Sequence, residues 1–397
     1  MLGCPATLMC SNYTYDADSA PEVPDSEEVP LPRLEDPGRL PVACSGSPGM
    51  NVSDFDFDLP SDLIAQVPAE PRGSSRLMVL DRRTGRTEAA VVGDLPRWLR
   101  RGDVIVLNDT RVFPARLLGH RVPSRGAVEC LLLGRLDAER WDALVHPGQK
   151  LRPGEQFVCE GAGGRLVGVI EARHTFGRRT VRLTADGGAD VDAVIDAIGH
   201  VPLPPYIKRP DVLADRERYQ TVFAARRGSV AAPTAGLHVT DALLDALAQA
   251  GIERVAVTLH VGYGTFKPVR GDTVEDHRVD PEEYEVSPEA ADRLNRALDE
   301  GRRVVAVGTT VTRALESAAL VGGGRVAAGR ATSGLFIYPG FAFQAVGALL
   351  TNFHVPRSSL LMLACAFGGR EPVLAAYAEA IARRFRFYSY GDAMLII

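Results

Sequence analysis

RRVVAVGTTVTRALESA, residues Arg302 to Ala318, reads as a buried strand, a tight turn and a helix. Val304 to Val307 is a short apolar run, Gly308-Thr309-Thr310 breaks it, and a helix follows through Ala319. The same alternation continues outward from this unit. Thr240 is placed to cap a helix over residues 241 to 250 that Gly251 closes, Val255 to Leu259 is a strand, and Ser287-Pro288 opens a helix ended by Gly301. Strands alternating with helices from residue 228 onward predict a largely parallel α/β sheet.

The turn also carries chemistry. Unpaired N–H groups and the hydroxyls of Thr309 and Thr310 face whatever occupies the helix N-terminus, and an anionic group fits there. Arg313, one turn further on, is placed for a bidentate contact with a carboxylate or phosphate. The plainer alternative is a helix capped by Thr310 with Arg313 in solvent. Neither a Walker loop nor a GxGxxG fingerprint occurs in the chain.

Between Arg111 and Thr184 the pattern changes to short β-rich runs: Val112–Leu118, Ala127–Leu133, Trp141–Val145, Gln156–Cys159, Arg165–Ala172 and Arg179–Leu183. Strands at that spacing predict a small antiparallel barrel or sandwich. Helical periodicity then returns at Val191, Val194, Ile195 and Ile198, with Asp190 as N-cap and Gly199 as the stop.

Composition limits the function classes. The chain has 397 residues, enough for two or three domains at roughly 100 to 200 residues each. Its 45 basic and 50 acidic side chains leave a formal charge of -5, so any contact with nucleic acid must be local. Residues 1–50 hold eight acids against Arg33 and Arg39, a net of -6, together with eight of the 27 prolines. This acidic tail is expected to be disordered, and translation from Met50 is the alternative. The six cysteines form no CxxC pair and no ligand cluster, so neither a metal site nor a disulfide framework is expected. The longest apolar stretch, Leu360 to Phe367, is far short of the ~18 residues a span needs, and a cytoplasmic protein away from membranes is expected.

Three further segments offer polar groups among apolar neighbours. SVAAPTAGLHVT places His238 just ahead of a helix, where the charged imidazole is disfavoured, and Ala235 and Gly236 permit close backbone approach. TLHVGYGTFKPV puts His260 at the carboxyl end of a strand, the usual ligand position in open α/β sheets, with Gly262, Gly264 and Thr265 after it. LLTNFHVPRSSLLML offers Asn352, His354 and Arg357 between apolar runs. A satisfied structural histidine is the commoner fate of each imidazole taken alone.

Together with FDFDLPSDLIAQVPAEP, GDVIVLNDTRVFPARLLG, VPLPPYIKRP, RYQTVFA, FIYPG and FYSYGDAML, these strings closely resemble the S-adenosylmethionine:tRNA ribosyltransferase-isomerase family of queuosine biosynthesis, from about Phe55 to the C-terminus. The resemblance implies an α/β fold: a larger α/β domain (51–111 plus 188–397) with a smaller antiparallel β-barrel domain (112–187) inserted. It implies transfer and isomerisation of the ribosyl unit of S-adenosylmethionine onto 7-aminomethyl-7-deazaguanine at the wobble position of a tRNA with a GUN anticodon. The products are epoxyqueuosine, adenine and methionine. S-adenosylmethionine is then a consumed co-substrate, with no cofactor and no metal, and a monomer is the expected state.

Within this resemblance His238, His260 and His354 are the candidates for acid/base work, because the sulfonium acidifies the ribose C5' protons and a neutral imidazole suits their removal. Thr234, Gly236, Gly262, Gly264, Thr265, Thr309, Thr310, Arg313, Asn352, Asp109 and Arg111 are the substrate-binding candidates. Tyr206, Lys208, Arg209, Arg226 and Arg227 are the tRNA-binding candidates. The chain departs from the family's pattern at Asp280, Gly347 and His146, where a histidine, an aspartate and an arginine are usual. The alternatives are a paralogue acting on a different nucleoside and a non-catalytic tRNA-binding relative.

Overall fold

The structure, a computed structural model, describes residues 49–266, 269 and 271–397. The acidic tail up to residue 48, with Cys4, Cys10 and Cys44, lies outside the described residues, as does the side chain of Thr265.

The first strands, β1 (Arg76–Asp81) and β2 (Arg86–Val91), form a hairpin whose four-residue connection forces antiparallel pairing. β3 (Val104–Asn108) has five buried residues in succession, the mark of a strand covered on both faces. β4 (Thr110–Val112) leads into six strands that close on themselves: β5 (Arg116–Val122), β6 (Ala127–Arg135), β7 (Arg140–His146), β8 (Gln156–Gly161), β9 (Gly164–Arg173) and β10 (Arg178–Ala185). The six segments read from turn residues in the sequence are these strands to within a few residues, the first of them split into β4 and β5.

α1 (Val191–Ile198) follows, with the Asp190 carboxylate accepting the Asp192 N–H. Its Val194 and Ile195 are buried in the barrel core beside Leu166 and Phe157, so α1 packs with the barrel although it follows the last barrel strand. After α2 (Asp215–Arg218), β11 (Arg226–Ser229) pairs in parallel with β4. Then come α3 (Asp241–Gln249), β12 (Glu253–Leu259), β13 (Glu282–Val286), α4 (Pro288–Asp299), β14 (Val304–Val307) and α5 (Thr309–Val321). β15 (Gly329–Ser333), β16 (Ala348–Asn352), α6 (Ser359–Gly368), α7 (Arg370–Ala382) and β17 (Ala393–Ile396) complete the chain.

Nine strands build one sheet in the order β15-β13-β12-β3-β14-β16-β17-β1-β2. The sheet is parallel through β12, β3, β14 and β16 and again between β17 and β1, but antiparallel at its other four pairings. The largely parallel sheet expected from sequence is therefore a mixed one. From β1 to β2 and from β12 to β13 no helical crossover intervenes and the chain returns antiparallel, whereas β16 and β17 are antiparallel across α6 and α7.

Alternate side chains serve opposite faces. Met78, Val106, Val257 and Ala306 pack with α4 to α7, while Leu77, Leu107, Val305 and Val307 pack with α3 and residues 92–99. Among the described residues no single helix is long and apolar enough to cross a membrane.

Candidate functional site

The parallel centre of the sheet aims its carboxyl ends at a cleft of about 770 Å³, its open mouth included. Gly308 makes the turn from β14 into α5 with φ of +99°, a conformation costly for residues with a Cβ. The turn presents Thr309 and Thr310 to the cleft, which Thr234, Tyr206, Asn352 and His354 also line. Neither plain alternative for this turn holds. Thr310 does not cap α5, since Gly308 is the N-cap and no side chain caps the helix. Its Oγ1 is buried without a hydrogen-bond partner.

Asn352 and His354 come from the end of β16. The Asn352 Nδ2 donates to the carbonyl oxygens of Tyr388 at 2.9 Å and Ser389 at 3.4 Å, which fixes the amide's orientation and leaves its buried Oδ1 as an acceptor beside the His238 imidazole. His354 Nε2 is 2.8 Å from Thr351 Oγ1, and its backbone N–H donates to Tyr377 Oη at 2.9 Å. Burial pushes the His354 imidazole down to about 3, so the ring is neutral at physiological pH.

The other two histidines stand outside the cleft lining. His238 Nδ1 is 3.0 Å from Ser75 Oγ, and its buried Nε2 is left for the Asn352 amide. Burial pushes it down to about 4, opposed by the Asp392 charge and the Asn352 amide. His260 Nδ1 is 2.8 Å from Thr110 Oγ1, which donates to Ser229 Oγ at 2.9 Å; that oxygen also accepts the Val261 N–H at 2.7 Å. This chain of contacts pins the loop behind Val261, a cleft residue. The His260 pKa is also lowered, chiefly by burial, with Glu283 and Asp109 opposing.

Arg313 does not join the anion site. Its Nη1 donates to Glu282 Oε2 at 2.6 Å, Nε to the Leu335 carbonyl at 3.1 Å and Nη2 to the Ser333 carbonyl at 3.1 Å. Three acceptors, on β13, at the end of β15 and just after it, turn the guanidinium away from the cleft and bury it, so it is neither solvated nor placed to meet a ligand there. Glu282 Oε1 accepts the Gly262 N–H at 2.9 Å. Gly264, Asp280, Glu282 and Arg313 line a second, smaller cleft of about 390 Å³ that shares Leu360 with the first. Gly236 lies in the short turn Thr234–His238, and Asp109 accepts the Thr258 hydroxyl at 2.6 Å.

The basic candidates divide sharply. Arg209 is bidentate to Asp215 at 2.7 and 2.8 Å, Arg226 pairs with Glu285 at 2.8 Å, and Arg227 pairs with Asp196 at 2.8 Å while lying over the Phe113 ring. Lys208 and Arg111 are exposed. Tyr206 Oη is 2.5 Å from Ser389 Oγ, and its ring lies 4.6 Å from that of Tyr388, which with Ser389 also lines the cleft. Sequence reading missed Ser75, Thr351 and Ser389, and offered Tyr388 only as an aromatic in the run RRFRFYSYGDAMLII. The last two sit in FYSYGDAML, a string that carries the resemblance and held the available signal.

The sequence model of the queuosine biosynthesis protein family matches residues 52–396. This chain belongs to that family. The S-adenosylmethionine:tRNA ribosyltransferase-isomerase of Heliobacterium modesticaldum is 52% identical over 348 residues, which are 88% of this chain and 100% of that protein. The enzyme of the same name from an Anaeromyxobacter species is 53% identical over 350 residues, 87% of this chain and 99% of its own length. The crystal structure of S-adenosylmethionine tRNA ribosyltransferase from Thermotoga maritima is 36% identical, covers 87% of this chain and 100% of its own, and has a TM-score of 0.49. The chain is thus an enzyme of the S-adenosylmethionine:tRNA ribosyltransferase-isomerase family, with a closed barrel beside a mixed α/β sheet.

Proposed function

We propose that the chain moves the ribosyl unit of S-adenosylmethionine onto the aminomethyl group of a 7-aminomethyl-7-deazaguanine in the wobble position of a GUN-anticodon tRNA, releasing adenine and methionine and leaving epoxyqueuosine. The observation that carries this reading is the convergence of Thr234, Thr309, Thr310, Asn352 and His354, from segments far apart in sequence, on one cleft. The apolar and aromatic walls, Tyr206, Tyr388, Phe353 and Leu360, suit a purine and a thioether-like chain.

The first chemical need is removal of a C5' proton acidified by the sulfonium, and the second is a proton for the departing adenine. The His354 imidazole is neutral before the reaction, so it is open to accept a proton, although burial makes it a weak base. Position favours His354, the one histidine of the three that lines the cleft, for the contact with the reacting sugar. His238 and His260 then act as positioning residues through Ser75 and Thr110. The exposed Lys208 and Arg111 are the basic side chains most available to a phosphate backbone.

The test incubates the purified chain with S-adenosylmethionine and tRNA carrying the aminomethyl-deazaguanine. Mass spectrometry is expected to find free adenine and epoxyqueuosine in equal amounts. Binding of that tRNA with neither product formed would instead support the non-catalytic or paralogue alternative.

A further inference from the structure

We propose that Thr310 and Asn352 together form the seat of the donor's amino-acid end, with the carboxylate at the N-terminus of α5 and the ammonium on Asn352 Oδ1. The inference rests on the reading of S-adenosylmethionine as donor and adds which atoms hold it. α5 is a 13-residue helix, and the N–H groups of its first turn have no helical acceptor. Beside them the Thr310 hydroxyl, on a residue 7% exposed, has no partner. Leaving a buried polar group unsatisfied is unfavourable, and a carboxylate accepting from the hydroxyl and the amides removes that penalty.

Asn352 supplies the complementary half. It is 2% exposed, and because its Nδ2 is committed to the Tyr388 and Ser389 carbonyls, what it offers is an acceptor, Oδ1, with the His238 imidazole on one side of it. An acceptor calls for a cation or another donor. β14 and β16 are parallel neighbours with Val307 opposite Leu350, and just beyond that pairing Thr310 and Asn352 line the same cleft. A tRNA phosphate at the same turn would bring no cation to Asn352 Oδ1. Arg313, consumed by Glu282 and two carbonyls, supplies no competing contact.

Calorimetric titration with S-adenosylmethionine, L-methionine and decarboxylated S-adenosylmethionine, with and without tRNA bound, tests the seat. Wild type is expected to bind the decarboxylated donor at least about tenfold more weakly than the intact one. Thr310→Val should weaken S-adenosylmethionine and methionine by about tenfold or more while leaving the decarboxylated donor unchanged, and Thr310→Ser should restore binding. Equal weakening of both donors by Thr310→Val, or none, overturns the seat while the donor reading stands. Displacement of S-adenosylmethionine by inorganic phosphate from wild type but not from Thr310→Val would assign the turn to a phosphate and also overturn it. If Thr310→Val does not fold, the wild-type comparison decides alone: equal affinity for the two donors overturns the seat. Wild type that binds neither donor overturns both the seat and the donor reading.

Discussion

Arg313 Nη1 lies 2.6 Å from Glu282 Oε2, and both side chains are buried. The pair joins α5 to β13, and through Glu282 Oε1 it also holds the Gly262 N–H. An arginine that the sequence offers as a ligand for the substrate is thus a brace for the loop between the two clefts.

Removing one partner of a buried pair strands the other's charge. Arg313→Met is expected to cost about 3–5 kcal/mol of stability, and the double variant Arg313→Met/Glu282→Leu to recover much of it. Urea unfolding of the two variants checks this. A fully stable Arg313→Met protein with weakened donor binding would return Arg313 to the ligand site.

Acid sensitivity follows from the two buried imidazoles. His238 and His354 are held at about 4 and about 3 against an ordinary 6.5. Below pH ~6.5 the unfolded chain binds protons on these rings that the folded chain refuses, so stability falls as pH drops through this window. At pH 5 the loss is about 2 kcal/mol for each ring. His354→Gln should flatten the decline between pH 6.5 and 5 in denaturant midpoints. An unchanged slope would contradict the burial of a neutral ring.

Local structure was legible where capping chemistry is local. The Asp190, Thr240 and Ser287 side chains accept the N–H groups of Asp192, Leu243 and Ala290, as their positions before apolar periodicity suggest. The cleft was legible only as a set of separate strings. That Thr310 and Asn352 line one cleft depends on β14 pairing with β16, and that His354 lines it while His238 meets the Asn352 amide from outside the lining depends on the loops laid over that pairing. The partner of Arg313 lies 31 residues away on an antiparallel strand, a placement that helix spacing does not encode.

Gly228 tests the packing around His260. A Cβ there would sit 2.5 Å from His260 Cε1, so Gly228→Ala must push the ring from Thr110 and disturb the Val261 loop. The expected cost is about 1–3 kcal/mol with a fall in kcat. Thermal melts and turnover read both, and a silent substitution would show that His260 does not position the loop.

The basic candidates separate by salt dependence. Lys208→Ala should weaken tRNA binding at unchanged stability and lower the slope of log affinity against log salt by about one. Arg209→Ala, which frees the buried Asp215, should instead destabilise the fold by about 2–3 kcal/mol. Filter binding over a salt series and urea unfolding distinguish the two. Equal behaviour of the variants would contradict the division made by the ion pairs.

The most direct test of the central claim measures adenine released per tRNA modified, for wild type and for His354→Gln, with S-adenosylmethionine and tRNA bearing the aminomethyl-deazaguanine. The account predicts one adenine per epoxyqueuosine from wild type, and turnover at least about 10²-fold slower from a variant that still folds and binds the tRNA. Wild-type rates from His354→Gln, or adenine release that does not depend on the modified tRNA, would contradict it.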